Sequence, residues 1–266
     1  MIDYRKAYAE DVIQLKKLWL SCFSEREEAA ELFFIRNSDT YHGYCACDGS
    51  NIISALYLID CTLCGKKAHY LCGAATLPWY RKQGIMSELI EFALADAEAR
   101  GDCFSALLPA NEKLYGYYAA RGYNPIGAAC TAGFNCDKQD GYSEGKPDFE
   151  ELQKARFTDK FLLWNNNYIA FAEEYYACYG VRSVKSENVF ALYEPKGDCA
   201  DVFYAAFNDL KELKVLLHAQ GVRRFSLTGS PMDPLFKNVK PEKRGMLRSL
   251  GDSDLPDGFY IGITLD

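Results

Sequence analysis

The chain has 266 residues, 49% of them apolar and 25% charged, with a formal net charge of −7, a composition that suits a globular protein of one or two domains. The acidic balance argues against a general nucleic-acid binder, whose phosphate contacts need clustered Lys and Arg, and no run of about 18 apolar residues offers a membrane-spanning helix. Residues 1–6 lack the apolar core of an export signal, so the expected location is cytoplasmic and the 11 cysteines are expected to stay reduced.

A short strand is expected at residues 2–5. Glu10 and Asp11 then open a helix whose apolar face is Val12, Leu15, Leu18, Trp19, Cys22 and Phe23. A second helical stretch covers residues 26–36. Its acids Glu25, Glu27, Glu28 and Glu31 read first as a solvated face; the resemblance described below alternatively implies that this stretch walls an acceptor site, where they would attract an amine. Strands follow at residues 44–47, 52–61 and 69–77, the middle one rich in Ile, Leu and Tyr. Cys61-x-x-Cys64 falls at a hairpin tip, and Cys45-x-Cys47 has a spacing atypical of zinc ligands. No further ligand cluster joins them, so no metal site is expected.

The third of these strands ends near Pro78 and passes through a turn holding Arg81 and Gly84. It then enters an amphipathic helix with Ile85, Met86, Leu89, Ile90, Ala93, Leu94 and Ala97 at helical spacing, closed by Gly101. A helix N-terminus has unpaired N–H groups and a partial positive charge. With Arg81 as a cation and Gly84 permitting close approach, the turn reads as a pyrophosphate cradle. A strand at residues 103–108 leads to a short helix capped by Asn111, carrying Leu114, Tyr117, Tyr118 and Arg121, and closed by Gly122. Strands at 123–128 and 132–135 complete a mixed sheet with helices on both faces, an α/β (α+β) class.

These two segments together resemble the GNAT superfamily of acyl-CoA-dependent N-acetyltransferases. That family shows a strand, then Arg/Gln-x-x-Gly-x-Gly/Ala opening a helix, then Asn-x-x-Ala-x-x-Phe-Tyr-x-x-x-Gly-Phe. Here Arg81-Lys-Gln-Gly84-Ile-Met86 fits the first motif with Met86 replacing the last small residue. Residues 111–123 fit the second, with Leu114, Tyr117 and Tyr123 substituted. The resemblance covers the first half of the chain. It implies a mostly antiparallel sheet and acetyl-CoA as co-substrate. The CoA pyrophosphate would be held by Arg81 and the amides of Gln83, Gly84, Ile85, Met86 and Ser87. The pantetheine arm would pair along Cys72, Ala74, Ala75 and Thr76, with Asn111 and Tyr117 beside the cofactor. Tyr118 would be the general acid that protonates the thiolate.

Residues 137–147 are polar and aperiodic and read as a linker between units 1–137 and 147–266. Helical spacing resumes through Phe157, Phe161, Leu162, Ile169, Phe171 and Ala172. The second half faintly echoes the first: Val189-Phe-Ala-Leu-Tyr193 repeats Ile53-Ser-Ala-Leu-Tyr57, and Ala219-Gln-Gly221 repeats Ala99-Arg-Gly101. Its strand–helix turn is Asn208-Asp209, whose carboxylate occupies the place a phosphate would need. The second half is therefore expected to be a degenerate copy that binds no CoA. Such a tandem resembles the enhanced-intracellular-survival acetyltransferases, without their sterol-carrier-like domain.

The expected chemistry is acetyl transfer to a primary amine of a small molecule or peptide, with a non-catalytic CoA sensor as the alternative. No residue stands out as the base. Glu112 reads as a dipole-complementing group at a helix start, and His42, His69 and His218 read as structural. Neither nucleic acid nor a membrane is an expected partner, and the sequence does not specify an oligomeric state.

Overall fold

The structure, a computed structural model, describes residues 1–36, 41–136, 141, 143–157 and 159–265; of the expected linker, residues 137–140 and 142 lie outside the described residues. The chain forms two sheets, mostly antiparallel and flanked by helices.

The first sheet begins with β1 (Ile2–Lys6), β2 (Tyr41–Asp48) and β3 (Asn51–Leu63), continues through β4 (Lys66–Thr76) and β5 (Phe104–Leu107), and is completed by β13 (Met246–Ser249). Helices α1 (Val12–Cys22) and α2 (Glu27–Arg36) lie on one face, and α3 (Ile85–Ala99) and α4 (Glu112–Ala119) on the other. β3 is buried almost throughout its 13 residues because both of its faces are covered. Alternation along the strands sends Tyr57, Tyr70 and Cys72 to the α1–α2 side, and Leu56, Leu58 and Leu71 to the α3–α4 side. The predicted stripe of α3 is buried from Ile85 to Ala97, with Met86 at its half-buried margin.

The second sheet runs β12 (Glu242–Lys243), β6 (Ala128–Asn135), β11 (Arg224–Gly229), β10 (Cys199–Phe207), β9 (Val189–Lys196), β8 (Arg182–Ser186). The faint repeat in sequence has a structural counterpart. β3, β4, α3 and β5 correspond to β9, β10, α7 (Leu210–Ala219) and β11. In each set the strands before and after the helix pair in parallel. The echoed glycines Gly101 and Gly221 both close their helices with positive φ, 89° and 84°.

Three expectations differ from what is found. Residues 123–127 are not a strand; isolated bridges tie Asn124 to Leu247 and Gly127 to Phe259. The apolar run after residue 147 is not one helix. It divides into α5 (Phe149–Arg156), β7 (Leu163–Trp164) and α6 (Asn166–Ala177), because Asn165 accepts from the Tyr168 N–H and starts a new helix. Finally, the sheets do not follow the 1–137/147–266 division. β6 runs antiparallel to β11 in the second sheet, while β13, near the end of the chain, runs antiparallel to β5 in the first. Among the described residues, no helix is long and apolar enough to cross a membrane, and no group of three His, Cys, Asp or Glu side chains is placed to hold a metal.

Candidate active site

The site lies where β4 and β5 part. Their parallel pairing ends at Tyr70 opposite Ala106, yet β4 runs on to Thr76. In that stretch β4 also bulges: Ala55 faces Ala75 and Tyr57 faces Cys72, so Leu56 alone opposes Gly73 and Ala74. Gly73 has φ of 60°, and a Cβ there would sit 2.3 Å from Trp19 Cζ3, so no other residue fits. Beyond Tyr70 no strand among the described residues continues the β5 side of β4, an arrangement that suits an extended ligand.

A cavity of about 790 Å³ occupies the gap. It passes from one face of the sheet to the other, since its lining includes Leu71 and Tyr118 from the α3–α4 side and Trp19, Tyr70 and Cys72 from the α1–α2 side. Tyr118, on α4, is 8% exposed and packs edge-on against Tyr117 and Tyr123 at 5.1 and 5.8 Å between ring centroids. Of the expected strand contacts, Cys72 and Ala74 line this cavity. Ala75 instead turns into the core, where its carbonyl accepts from Ser54 Oγ at 2.9 Å.

A second cavity of about 310 Å³ sits at the start of α3. Thr76, Arg81, Gly84, Ile85 and Met86 line it, together with Ser87 and Tyr117. Gly84 is the N-cap with φ of 84°. A Cβ there would meet nothing nearer than Glu88 Oε1 at 3.9 Å, so left-handed backbone, rather than lack of space, calls for glycine. The Ser87 and Glu88 amides both donate to Gly84 O, at 2.8 and 3.1 Å. The amides just before them, at Ile85 and Met86, are the ones a helix start leaves without an internal acceptor. Arg81 lies beside them with its Nε donating to Thr76 O at 2.8 Å. Gln83 Nε2 donates to Trp79 O at 3.0 Å, and Asn111 Oδ1 accepts from the Lys113 N–H at 3.1 Å, capping α4; neither residue lines either cavity.

Arg121 is the participant that the sequence pattern hid, as one more residue near a helix end. Its guanidinium stacks on Tyr117 at 3.5 Å from the ring centroid, and donates to Tyr117 O at 2.5 Å and to Ser87 Oγ. Its Nε is buried and has no hydrogen-bond partner among the described residues. A buried, unsatisfied donor on a cation beside a helix N-terminus is what an anion seat requires.

On the opposite face the wall comes from the second half of the chain. Tyr175 and Tyr176 of α6, Phe203 of β10 and the terminal segment at Thr264 and Leu265 all line the larger cavity. Of the four acids near α2, only Glu25 reaches it. Its Oε2 accepts from Tyr175 O–H at 2.7 Å and from Trp19 Nε1–H at 3.4 Å. Burial, and then that carboxylate, push the Tyr175 phenol far above its ordinary value and keep it a donor. Glu27 and Glu31 pair instead with Lys16 on the surface. His69 lines neither cavity. It is buried with Nδ1 2.7 Å from Asp102 Oδ2, and burial pushes its pKa below the ordinary value. Against its own burial, Asp102 is drawn down to about 2 by His69, Lys67 and Arg100.

Residues 3–126 match the family model described as an acetyltransferase (GNAT) domain. Over this part the chain is similar to the GNAT acetyltransferases. The whole chain is similar in fold to a probable N-acyltransferase from Enterococcus faecalis V583, with a TM-score of 0.70, 13% identity, and 94% of this chain and 73% of that chain covered. It is likewise similar to a GCN5-related N-acetyltransferase from Kribbella flavida (0.69, 18%, 94% and 71%) and to Eis1 from Mycobacterium abscessus (0.65, 15%, 94% and 74%). These likenesses extend the GNAT-like architecture over both sheets as a tandem. No curated protein sequence matches the chain.

Proposed function

We propose that the protein transfers an acetyl group from acetyl-CoA to a primary amine of a small molecule or peptide, through one site per chain. The observation that carries this reading is the continuity along β4. Thr76 lines the anion seat and Ala74, two residues earlier, lines the cavity that pierces the sheet. A pyrophosphate would meet the Ile85 and Met86 amides, Arg81 and the unsatisfied Nε of Arg121. The pantetheine arm would follow β4 beyond the end of its pairing with β5, toward Cys72, bringing the thioester to the gap beside Tyr118.

From the far face the amine nitrogen attacks the thioester carbonyl carbon as the C–S bond breaks. The leaving sulfur takes the Tyr118 phenol proton, the new amide nitrogen loses its extra proton to solvent, and the Tyr118 phenolate takes a proton back from solvent. The amine must be neutral when it attacks. An alkylamine has a pKa of about 10.4 in water, so its deprotonation is part of the cost of the reaction.

Calorimetric titration tests the reading. Acetyl-CoA should bind at one per chain, and Gly84→Glu, which strains the turn and adds a negative charge to the seat, should abolish binding. Undiminished binding by the variant would overturn the seat. Binding without acetylation of any amine in a broad panel would leave a CoA sensor in place of an enzyme.

A further inference from the structure

The larger cavity has a chemical character that limits which amine it takes. Its far side is built from aromatic rings: Trp19 and Phe23 from the first half, Tyr70 from β4, and Tyr175, Tyr176 and Phe203 from the second half. Several are in direct contact, with Trp19 to Phe23 at 5.0 Å and Tyr176 to Phe203 at 4.9 Å between centroids. Against these rings stand two carboxylates, Glu25 and Glu194, and one guanidinium, Arg244. Glu25 is fixed from both halves at once, since Trp19 and Tyr175 both donate to its Oε2. Its Oε1 takes no hydrogen bond from any described residue.

We infer that the acceptor is a monocationic amine carried on a flat apolar body, of the arylalkylamine type, and that Glu25 recognises its ammonium group. This rests on the acetyl-transfer reading of the same site. Aromatic faces bury a ring and attract a single cation, and a positioned carboxylate supplies the one charge-assisted hydrogen bond such a head group needs. A linear polyamine fits poorly. It must strip water from several ammonium groups, bring one of them near Arg244, and gain little from the rings. The hydrogen bonds from Trp19 and Tyr175 hold the carboxylate while the amine enters, so its orientation is set before binding.

Initial rates with phenethylamine, tryptamine, butylamine and spermidine, together with calorimetric binding of phenethylamine to the full chain, test this. Phenethylamine and tryptamine should exceed spermidine and butylamine in kcat/KM by about tenfold or more. Glu25→Gln keeps an acceptor for Trp19 and Tyr175 and loses the charge. It should raise KM and Kd for phenethylamine by about 10- to 100-fold, the usual range for a hydrogen bond to a charged group, while kcat stays within about threefold. Glu27→Gln, at an exposed ion pair with Lys16, should change neither. Preference for spermidine, an unchanged KM in Glu25→Gln, or a fall in kcat alone would overturn the inference. If no amine consumes acetyl-CoA, the transfer reading fails by itself, and the calorimetric loss in Glu25→Gln still decides whether Glu25 recognises the amine.

Discussion

The two halves share a parallel strand pair that opens at one end, and they treat the opening in opposite ways. Between β4 and β5 it is a cavity of about 790 Å³; between β10 and β11 about 10 Å³ remains. The second slot is filled by side chains. Phe236 presses so close to Gly229 that a Cβ there would fall 2.5 Å from its ring. Arg156, stacked 4.3 Å from the Phe207 centroid, pairs with Asp233 inside it. After β5 the chain makes the helix that carries Tyr118, whereas after β11 it makes only a short 3-10 turn at Pro234–Phe236. The turn into the helix differs too. Gly84 leaves amides open, whereas Asp209 Oδ1 accepts from the Lys211 N–H at 2.8 Å and places a carboxylate there. One copy keeps its opening, and the other has converted the same opening into core.

The strongest test of that contrast is to unplug the second slot. Phe236 is 2% exposed, so Phe236→Ala should cost about 3–5 kcal/mol of stability, the range for a buried ring replaced by a void. Chemical denaturation measures it. Acetyl-CoA stoichiometry should remain at one per chain, because Asp209 still caps α7. A second equivalent bound would show that packing alone had silenced the copy.

In the open slot, Tyr118→Phe removes a single hydroxyl. If the phenol protonates the leaving thiolate, kcat should drop about 10²-fold with acetyl-CoA affinity nearly unchanged. Equal kcat values with chemistry rate-limiting would make Tyr118 a packing residue. Arg121 gives a smaller, complementary effect. Arg121→Met keeps much of the apolar stem over Tyr117 and loses the donor, so acetyl-CoA affinity should fall about tenfold, in line with one charge-assisted bond. Titration at low ionic strength measures it, and an unchanged Kd would remove Arg121 from the seat.

The local parts of this machinery were legible in the sequence because they depend on short spacings. The α3 stripe, the turn at Gly84 and the Asn111 cap each rest on residues three or four positions apart or closer. Gly73 was readable in principle, since glycine inside a strand marks a bulge or a close approach. The exchange of β6 and β13 was not legible, because antiparallel pairing joins residues 89 to 145 positions apart and leaves no local period. The same holds for the Tyr175, Tyr176 and Phe203 wall, whose spacing reports only that those residues are buried. Arg121 was hidden by chemistry: a cation near a helix C-terminus already has a sufficient explanation in the helix dipole.

The smallest expected effect lies at the root of the openings, where the two copies differ in charge burial. Just before the strands part, His69 stands opposite Ser105, and the corresponding pair in the second sheet is Asp201 opposite Ser226. Asp201 is partly exposed and tied to Lys196, whereas His69 is enclosed with Asp102. Burial lowers the His69 pKa, so the folded protein keeps it neutral where an unfolded chain, with a pKa of about 6.5, takes up a proton. As pH falls below about 6.5 the unfolded state therefore binds more protons and stability declines, with a slope of at most ~1.4 kcal/mol per pH unit from this one group. Asp102, held at about 2, contributes stability above its unfolded value of about 3.9 that is lost only as pH falls from there toward about 2. His69→Gln should flatten the decline that begins near 6.5 and leave an acid limb below about 4, measured by denaturation across that range. A stability that rises as pH falls through 6 would mean that the folded His69 is charged. An imidazole resonance titrating at or above 6.5 in the folded protein would establish that directly.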